Sequence, residues 1–359
     1  MTTARPTTID DLAALVPSRT RWHVRAGGTK PALSTPPPDV DQLNLAGLTG
    51  ITEYSPEECT FTALAGTRLS DVQHALAPHR QYLPFDPPFA PAGATLGGTV
   101  AAGVSGPGRL RFGGVRDFLI GVRLVDGDGH VRQSGGKVVK NAAGFLLHQA
   151  LVGSAGRFAV LAELTFKVFP APEASATVAI ATGSVTDAVA LMLMVQRERF
   201  DVDAMDIAPP GTLFVRLSGF AEALPARLER LQRVAGISAH VLTGSDEASV
   251  WREARECEWS EDGASLVRVP LTSSQVARLD VSLDAHGVRR RYSVAGNLAW
   301  IAWTPPLDTL DTLLRGLGLG GQVLIAPTPL HSPFLGIVTA GVFDERVRTV
   351  LDPHRRFAG

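Results

Sequence analysis

The stretch Pro91-Ala92-Gly93-Ala94-Thr95-Leu96-Gly97-Gly98-Thr99-Val100-Ala101-Ala102-Gly103 is the most informative of the sequence. Small residues stand at nearly every position, so side chains are not its purpose. Its backbone must approach something closely, either a ligand or another backbone. Thr95 is placed to cap a helix through 96–103, whose N-terminus would favour a phosphate. A tightly packed helix of small residues is the plainer alternative.

Three more segments of this kind lie in the first 160 residues. Arg25-Ala26-Gly27-Gly28-Thr29-Lys30 follows a short strand at 22–25. Two adjacent glycines there let successive N–H groups point into one concavity, and Arg25, Thr29 and Lys30 add donors and charge. A plain turn fits the same residues. In Arg111-Phe112-Gly113-Gly114-Val115-Arg116-Asp117 the last two side chains suit either a ligand or a structural pair at a turn. The fourth segment, 135–156, reads GGKVVKNAAGFLLHQALVGSAG and holds Lys137, Lys140 and Asn141. The chain has only four lysines, at 30, 137, 140 and 167, against thirty arginines. Together these segments suggest backbone loops gripping one large, phosphate-bearing ligand, as a dinucleotide requires.

Composition agrees. The 359 residues are 45% hydrophobic and 19% charged with a net charge of -1, which excludes a disordered chain or a nucleic-acid binder. The 36 glycines and 25 prolines exceed the roughly 12% combined share of average usage. Cys59 and Cys257 form no CxxC pair, which argues against a disulfide framework, an iron–sulfur cluster or a zinc site, and no metal is expected. Both cysteines are expected to be inert. The start MTTARPTTIDDLAAL lacks an apolar stretch before a cleavage site, so no signal peptide is expected. The charge-free run between Asp86 and Arg109 is broken by prolines and glycines, so no transmembrane segment is expected. A cytoplasmic location follows as the expectation.

Along the chain, helices are expected at 7–17, with Thr8 or Asp10 near the cap, and at 69–76. Strands are expected at 51–54, 60–65 and 158–169, with a hairpin of 119–125 and 130–134 around Asp126-Gly127-Asp128-Gly129. After Pro172 the texture becomes α+β. Strands are expected near 177–181, 213–217, 237–242, 265–269, 298–303 and 321–326. Helices are expected near 185–199, 222–235, 246–256, 273–285 and 307–316. No fixed-period repeat is found. Gly316, Gly318 and Gly321 spell GxGxxG, but after a helix and before a strand, so they read as a helix stop rather than a dinucleotide fingerprint. His74 and His79 are separated by Pro78 and read as surface or packed residues.

The order RAGGTK, PAGATLGGTVAAG, RFGGVRD, KNAAGF and GSAGRFAVLAELTFKV resembles the FAD-binding domain of the vanillyl-alcohol oxidase, or PCMH, type over about residues 5–172. Within that family LPFDPP, VRDFLIGVRLVDGDG and GGKVVKNAAGF are similar to the E-type subunits of bacterial glycolate-oxidising complexes. The resemblance implies an α+β fold. A PCMH-type FAD-binding domain of two α/β subdomains (1–172) is followed by a small ferredoxin-like α+β cap (173–340). A tail (341–359) containing Asp352-Pro353-His354-Arg355-Arg356-Phe357 would return to the first domain.

It also implies roles. Arg25, Ala26, Gly27, Gly28, Thr29 and Lys30 match the first pyrophosphate loop. Some relatives bond a histidine covalently to the flavin where Thr29 stands, so FAD here is expected to be non-covalent. Gly93, Ala94, Thr95, Gly97 and Gly98 match the second flavin loop, and Arg116 and Asp117 the turn after it. Lys140, Asn141 and Gly144 match a segment near the isoalloxazine. Gly153, Ser154, Gly156 and Val160 match the loop and strand beside the ring and adenine. Relatives often read KNxxGYD and GSxGTLG where this chain has Phe145-Leu146 and Arg157-Phe158-Ala159.

The second half lacks the HxGDGNxH-like histidine grouping of the catalytic D-type subunits, and no catalytic residue is assigned. The implied function is an E-type FAD subunit in a complex that oxidises glycolate or D-lactate to the 2-oxo acid. Its partners would be a D-type FAD subunit and an iron–sulfur F-type subunit, which could hold the complex at the inner membrane. A stand-alone FAD oxidase with its own substrate, or a scaffold that has lost FAD, are the rivals. Arg268, Arg289, Arg290, Arg291 and Trp300 are the polar and aromatic candidates in the second half, and they are expected to be solvated strand residues.

Overall fold

The computed structural model describes residues 2–35, 40–136, 147–236, 239–338 and 341–358. Two compact units emerge. The first comprises 1–105, 113–171 and 339–359, and the second 106–112 and 172–338. By sequence, 106–112 falls within the first domain, 1–172. In the structure the short helix Arg109–Phe112 belongs to the second unit, where Arg111 pairs with Asp203.

The first unit has two main sheets. One is parallel, in the order Thr3–Ala4, Asp41–Asn44, Trp22–Arg25, Phe357–Ala358. The other is antiparallel, in the order Ile51–Ser55, Thr60–Leu64, Val160–Lys167, Leu119–Val125, Val131–Gly135. The helix Ile9–Leu15 is closed by a capping box between Thr8 and Asp11, one of the two ends that sequence allowed. One core serves both sheets: Leu12, Trp22, Leu43, Val125, Val160 and Phe357 are buried together. Removing side chains of this size from water is worth roughly 1.5–3 kcal/mol each. The last strand of the chain therefore completes the sheet that begins the first glycine loop.

The second unit is a nine-stranded antiparallel sheet. Its first part runs strand Ala174–Ala181, helix Val185–Arg197, strands Ala204–Ala208 and Thr212–Gly219, helix Leu224–Ala235, strand Ala239–Leu242. Its second part repeats this order with Ser265–Pro270, helix Ser273–Asp284, Arg290–Ser293, Leu298–Trp303, helix Leu307–Leu317 and Gly320–Ile325. Each part is a ferredoxin-like βαββαβ. They join where Ile207 pairs with Tyr292. The cap is thus a duplicated ferredoxin-like sheet, a structural repeat that sequence periodicity does not reveal. The helix Gly244–Glu256 links the halves, with Glu247 accepting from Ser175 and Thr177 and Trp251 Nε1 donating to Thr177. Among the described residues no helix is long and apolar enough to cross a membrane.

Candidate FAD-binding site

The strand Trp22–Arg25 delivers the first glycine loop. Its neighbour in space is the segment 89–95. A Cβ on Gly27 would sit 2.2 Å from the Gly93 carbonyl oxygen and 3.3 Å from Thr95 Cγ2, so only glycine permits this approach. Lys30 Nζ lies 5.4 Å from the centroid of the Phe89 ring and 2.8 Å from Thr29 Oγ1. Gly28 has φ +65°, and the Arg25 guanidinium folds across it, 2.6 Å from where its Cβ would be.

The loops leave donors unused. The N–H groups of Ala26, Gly27, Gly28, Thr29, Ala92 and Thr95 meet no acceptor among the described residues. Six such donors on two touching loops are available to an acceptor-rich ligand. Thr99, buried in the adjoining helix Leu96–Ala102, has an Oγ1 without a partner among the described residues. The residues present therefore suit a pyrophosphate: backbone donors, nearby positive charge, and glycines where a Cβ would block the approach.

The structure changes how the deciding stretch works. Thr95 caps the helix as expected, accepting from the Gly98 N–H at 3.2 Å. The first-turn donors are already engaged, Leu96 N–H by Thr67 O and Gly97 N–H by Ala65 O. The helix N-terminus is therefore not an open phosphate seat, because the chain beneath it takes its donors. Gly97 is instead a packing glycine, with Ala65 Cβ 2.8 Å from where its own Cβ would be. Ala94 is buried and donates to Phe89 O.

The remaining segments attach to this pair. Gly103 touches Gly153, whose Cα lies 3.0 Å from the position of a Gly103 Cβ. Gly153 and Ala155 N–H groups donate to Val100 O and Ala101 O. Gly156 stands beside Val24, and Ser154 is buried. Asp117 accepts from the Gly114 N–H at 2.8 Å, which makes it a turn-closing carboxylate. Arg116 reaches Gln149 at 3.4 Å, so the suspected Arg116–Asp117 pair is not what holds this turn. Val160 is a core side chain in the cluster with Trp22. Lys140, Asn141 and Gly144, with Lys137, lie outside the described residues.

Sequence reading missed several features. Asp86 and Phe89 have φ +48° and +67°, a costly backbone for side-chain-bearing residues, in the segment leading to Gly93. His23 is buried below the first loop, and burial holds its imidazole below the ordinary histidine range. The one group of metal-ligand type among the described residues is Asp126, Asp128 and His130. Asp126 there accepts from the N–H groups of Asp128 and His130 and from Arg132, which closes the hairpin turn.

In the second unit, Arg291, Trp300, Arg268 and Gln322 form one row across four strands by direct register. They are not solvated, contrary to expectation. Arg291 and Trp300 are buried, and Arg290 is enclosed by Asp280 and Asp284. Arg268 donates to Gln322 Oε1, and burial with the nearby Arg109 charge pushes its guanidinium down to about 10. Only Arg289 keeps a largely exposed side chain among the three consecutive arginines. Cys257 is buried, which pushes its thiol up and agrees with an inert role. His79 packs edge-on against Tyr54 at 5.1 Å.

Comparison with known proteins agrees with this geometry. Residues 2–135 match the family described as FAD binding domain. The chain is 45% identical over 126 residues to glycolate oxidase subunit GlcE of Escherichia coli K12, covering 35% of this chain and 36% of that one. It is 30% identical over 148 residues to a D-lactate dehydrogenase of Archaeoglobus fulgidus, covering 41% of this chain and 33% of that one. It is 32% identical over 127 residues to glycolate oxidase subunit GlcD of Bacillus subtilis, covering 35% of this chain and 27% of that one. The matched stretch thus spans only about a third of these relatives' own length. In fold the chain is similar to alkyldihydroxyacetonephosphate synthase, with a TM-score of 0.72 at 12% identity over 98% of this chain and 74% of that one. Residues 2–135 accordingly match the FAD binding domain family, in a chain with the fold of alkyldihydroxyacetonephosphate synthase.

Proposed function

We propose that this chain is the E-type FAD subunit of an assembly that oxidises a 2-hydroxy acid, glycolate or D-lactate, to the 2-oxo acid. The observation that carries the reading is the Gly27–Gly93 contact with six unused N–H groups around it, in the region 45% identical to a glycolate oxidase subunit. In it, the N–H groups of Ala26 to Thr29, with those of Ala92 and Thr95, receive the pyrophosphate oxygens. Arg25 and Lys30 offset their charge. Gly93 and Gly153, with no described neighbour within 4 Å of a notional Cβ, leave room for the dinucleotide. Bound FAD supplies hydride and electron acceptance. Thr29 offers no covalent attachment point, so the cofactor is held without a bond. A D-type FAD subunit would act on the substrate and an iron–sulfur F-type subunit would carry electrons away, at the cytoplasmic side of the membrane.

A stand-alone oxidase is the second reading, favoured by one feature: the Arg268 guanidinium set beside Trp300 and Gln322, suited to a carboxylate. The visible spectrum of the purified chain, FAD release by heat, and anaerobic addition of glycolate or D-lactate test both. Flavin that bleaches only with the D-type subunit present supports the first reading. Bleaching by the chain alone transfers the case to the second, and a colourless protein that takes up no FAD removes both.

A further inference from the structure

Phe89 stands in the loop that carries Gly93 to Gly27, and its backbone is at odds with its side chain. Its φ of +67° lies in the left-handed region, which a residue of this bulk rarely adopts. The conformation serves the loop: Phe89 O accepts from the Ala94 N–H at 3.0 Å, and Ala90 O from the Gly93 N–H at 3.1 Å. Glycine would supply that turn without strain. The backbone therefore does not account for a phenylalanine here, and the ring must.

The ring is buried, and Lys30 lies over it, with Nζ 5.4 Å from the centroid. An ammonium within about 6 Å of a ring centroid is drawn to the negative face of the ring. The same Nζ donates to Thr29 Oγ1 at 2.8 Å, and the Leu33 N–H donates to the Lys30 carbonyl at 3.3 Å. Ring and hydroxyl together keep the charge on the loop whose N–H groups, from residues 26 to 29, meet no acceptor among the described residues. A lysine stem is long and flexible, so an unrestrained ammonium loses much rotational freedom on meeting a phosphate. One already fixed by a ring and a hydroxyl loses less.

We propose, resting on the flavin reading above, that Phe89 is a positioning residue whose ring face fixes the Lys30 ammonium for the pyrophosphate of FAD. Phe89 itself acts through Lys30 and through the turn it closes.

The FAD affinity of the full chain, read from the flavin fluorescence released on dilution at several salt concentrations, tests it. Phe89→Leu keeps an apolar side chain and removes the ring. It should weaken FAD binding about 3- to 10-fold and flatten the rise of Kd with salt. Lys30→Met keeps the stem and removes the charge, and should cost a similar factor. In the Lys30→Met background Phe89→Leu should have little further effect. Should Phe89→Leu not fold, Phe89→Met, of similar volume and without a ring, takes its place in the cycle. Equal losses from the Phe89 variant in both backgrounds would show that the ring serves the fold alone, and overturn the proposal. So would a Phe89 variant with the parent's affinity and salt dependence, in a chain that binds FAD. A parent chain that takes up no FAD removes the flavin reading, and this inference with it.

Discussion

Gly27 and Gly93, 66 positions apart in the chain, meet so closely that a Cβ on the first would lie 2.2 Å from the carbonyl oxygen of the second. The obstacle is backbone, which cannot swing aside as a side-chain tip can. Gly27→Ala should separate the two loops. The expected cost is about 1–3 kcal/mol of stability, as for other overpacked sites. FAD content per chain should fall with it. Gly316→Ala is the matched control, because nothing lies within 4 Å of a Cβ there and the backbone is helical. It should stabilise by about 0.5–1 kcal/mol. Flavin-to-protein ratio and urea unfolding read both variants, and equal behaviour of the two would contradict the site assignment.

Asp206 joins the two halves of the second unit. It accepts from Arg291 Nε at 2.9 Å and from Ser293 Oγ at 2.7 Å, and both charged side chains are buried. Asp206→Ala leaves the guanidinium buried without its partner and should cost about 3–5 kcal/mol. Replacing both together, Asp206→Leu with Arg291→Met, should recover most of that loss. Denaturant unfolding of the single and double variants checks the non-additivity.

His23 makes the first unit sensitive to acid. Its Nε2 lies 3.1 Å from Ser34 O, which assigns the proton to Nε2 and leaves Nδ1 as a buried acceptor without a donor. Burial, and secondarily the Arg25 charge, hold the folded-state pKa below the ordinary value of 6.5. The unfolded chain therefore binds the proton first. Stability is full above that ordinary value and falls as pH drops towards the folded one, by at most about 1.4 kcal/mol per pH unit. His148, lowered by burial too, adds a second contribution of the same sign. His23→Leu should flatten the decline between about pH 7 and pH 5 without abolishing it. Slopes that match the parent protein would disprove the role of His23.

Asp352 anchors the chain's end. It is buried, and its carboxylate accepts from the N–H groups of Arg356 and Phe357 at 2.7 and 3.0 Å. That bend sets Phe357–Ala358 beside Trp22–Arg25. Asp352→Ala should cost about 1–3 kcal/mol by leaving those donors unsatisfied. Limited proteolysis should then cut near the C-terminus faster, while the second unit keeps its resistance.

Local chemistry was the legible part. The helix Leu69–Leu76 has the bounds its apolar spacing predicts, and the turn Asp126–Gly129 closes the expected hairpin. Gly318 stops its helix in the left-handed conformation, as its position after Leu317 suggests. Three strands of the second unit were not read, Ala204–Ala208, Arg290–Ser293 and Phe334–Gly336. The first two form the seam. Each is short, and the second carries consecutive arginines that look like surface. The burial of its arginines depends on Asp206 in the other strand, 85 positions away, and on Asp280 in the preceding helix.

Sequence alone marks Gly27, Gly28, Gly93 and Gly97 as positions where backbone can come close to a ligand or to another backbone, with a plain turn as the alternative at Gly27 and Gly28. Most of the helices and strands were legible there too, because period and capping are local properties. Tertiary structure settles which glycine faces open space and which faces the chain. Gly93 looks into open space while Gly97 rests on Ala65, though both stand in one stretch of small residues. It likewise decided which N–H groups remain free, since Thr67 and Ala65 take the donors of the helix and leave those of Ala26 to Thr29. A hydrogen bond is a relation between two places in space, and only one of them is written at any position of the chain.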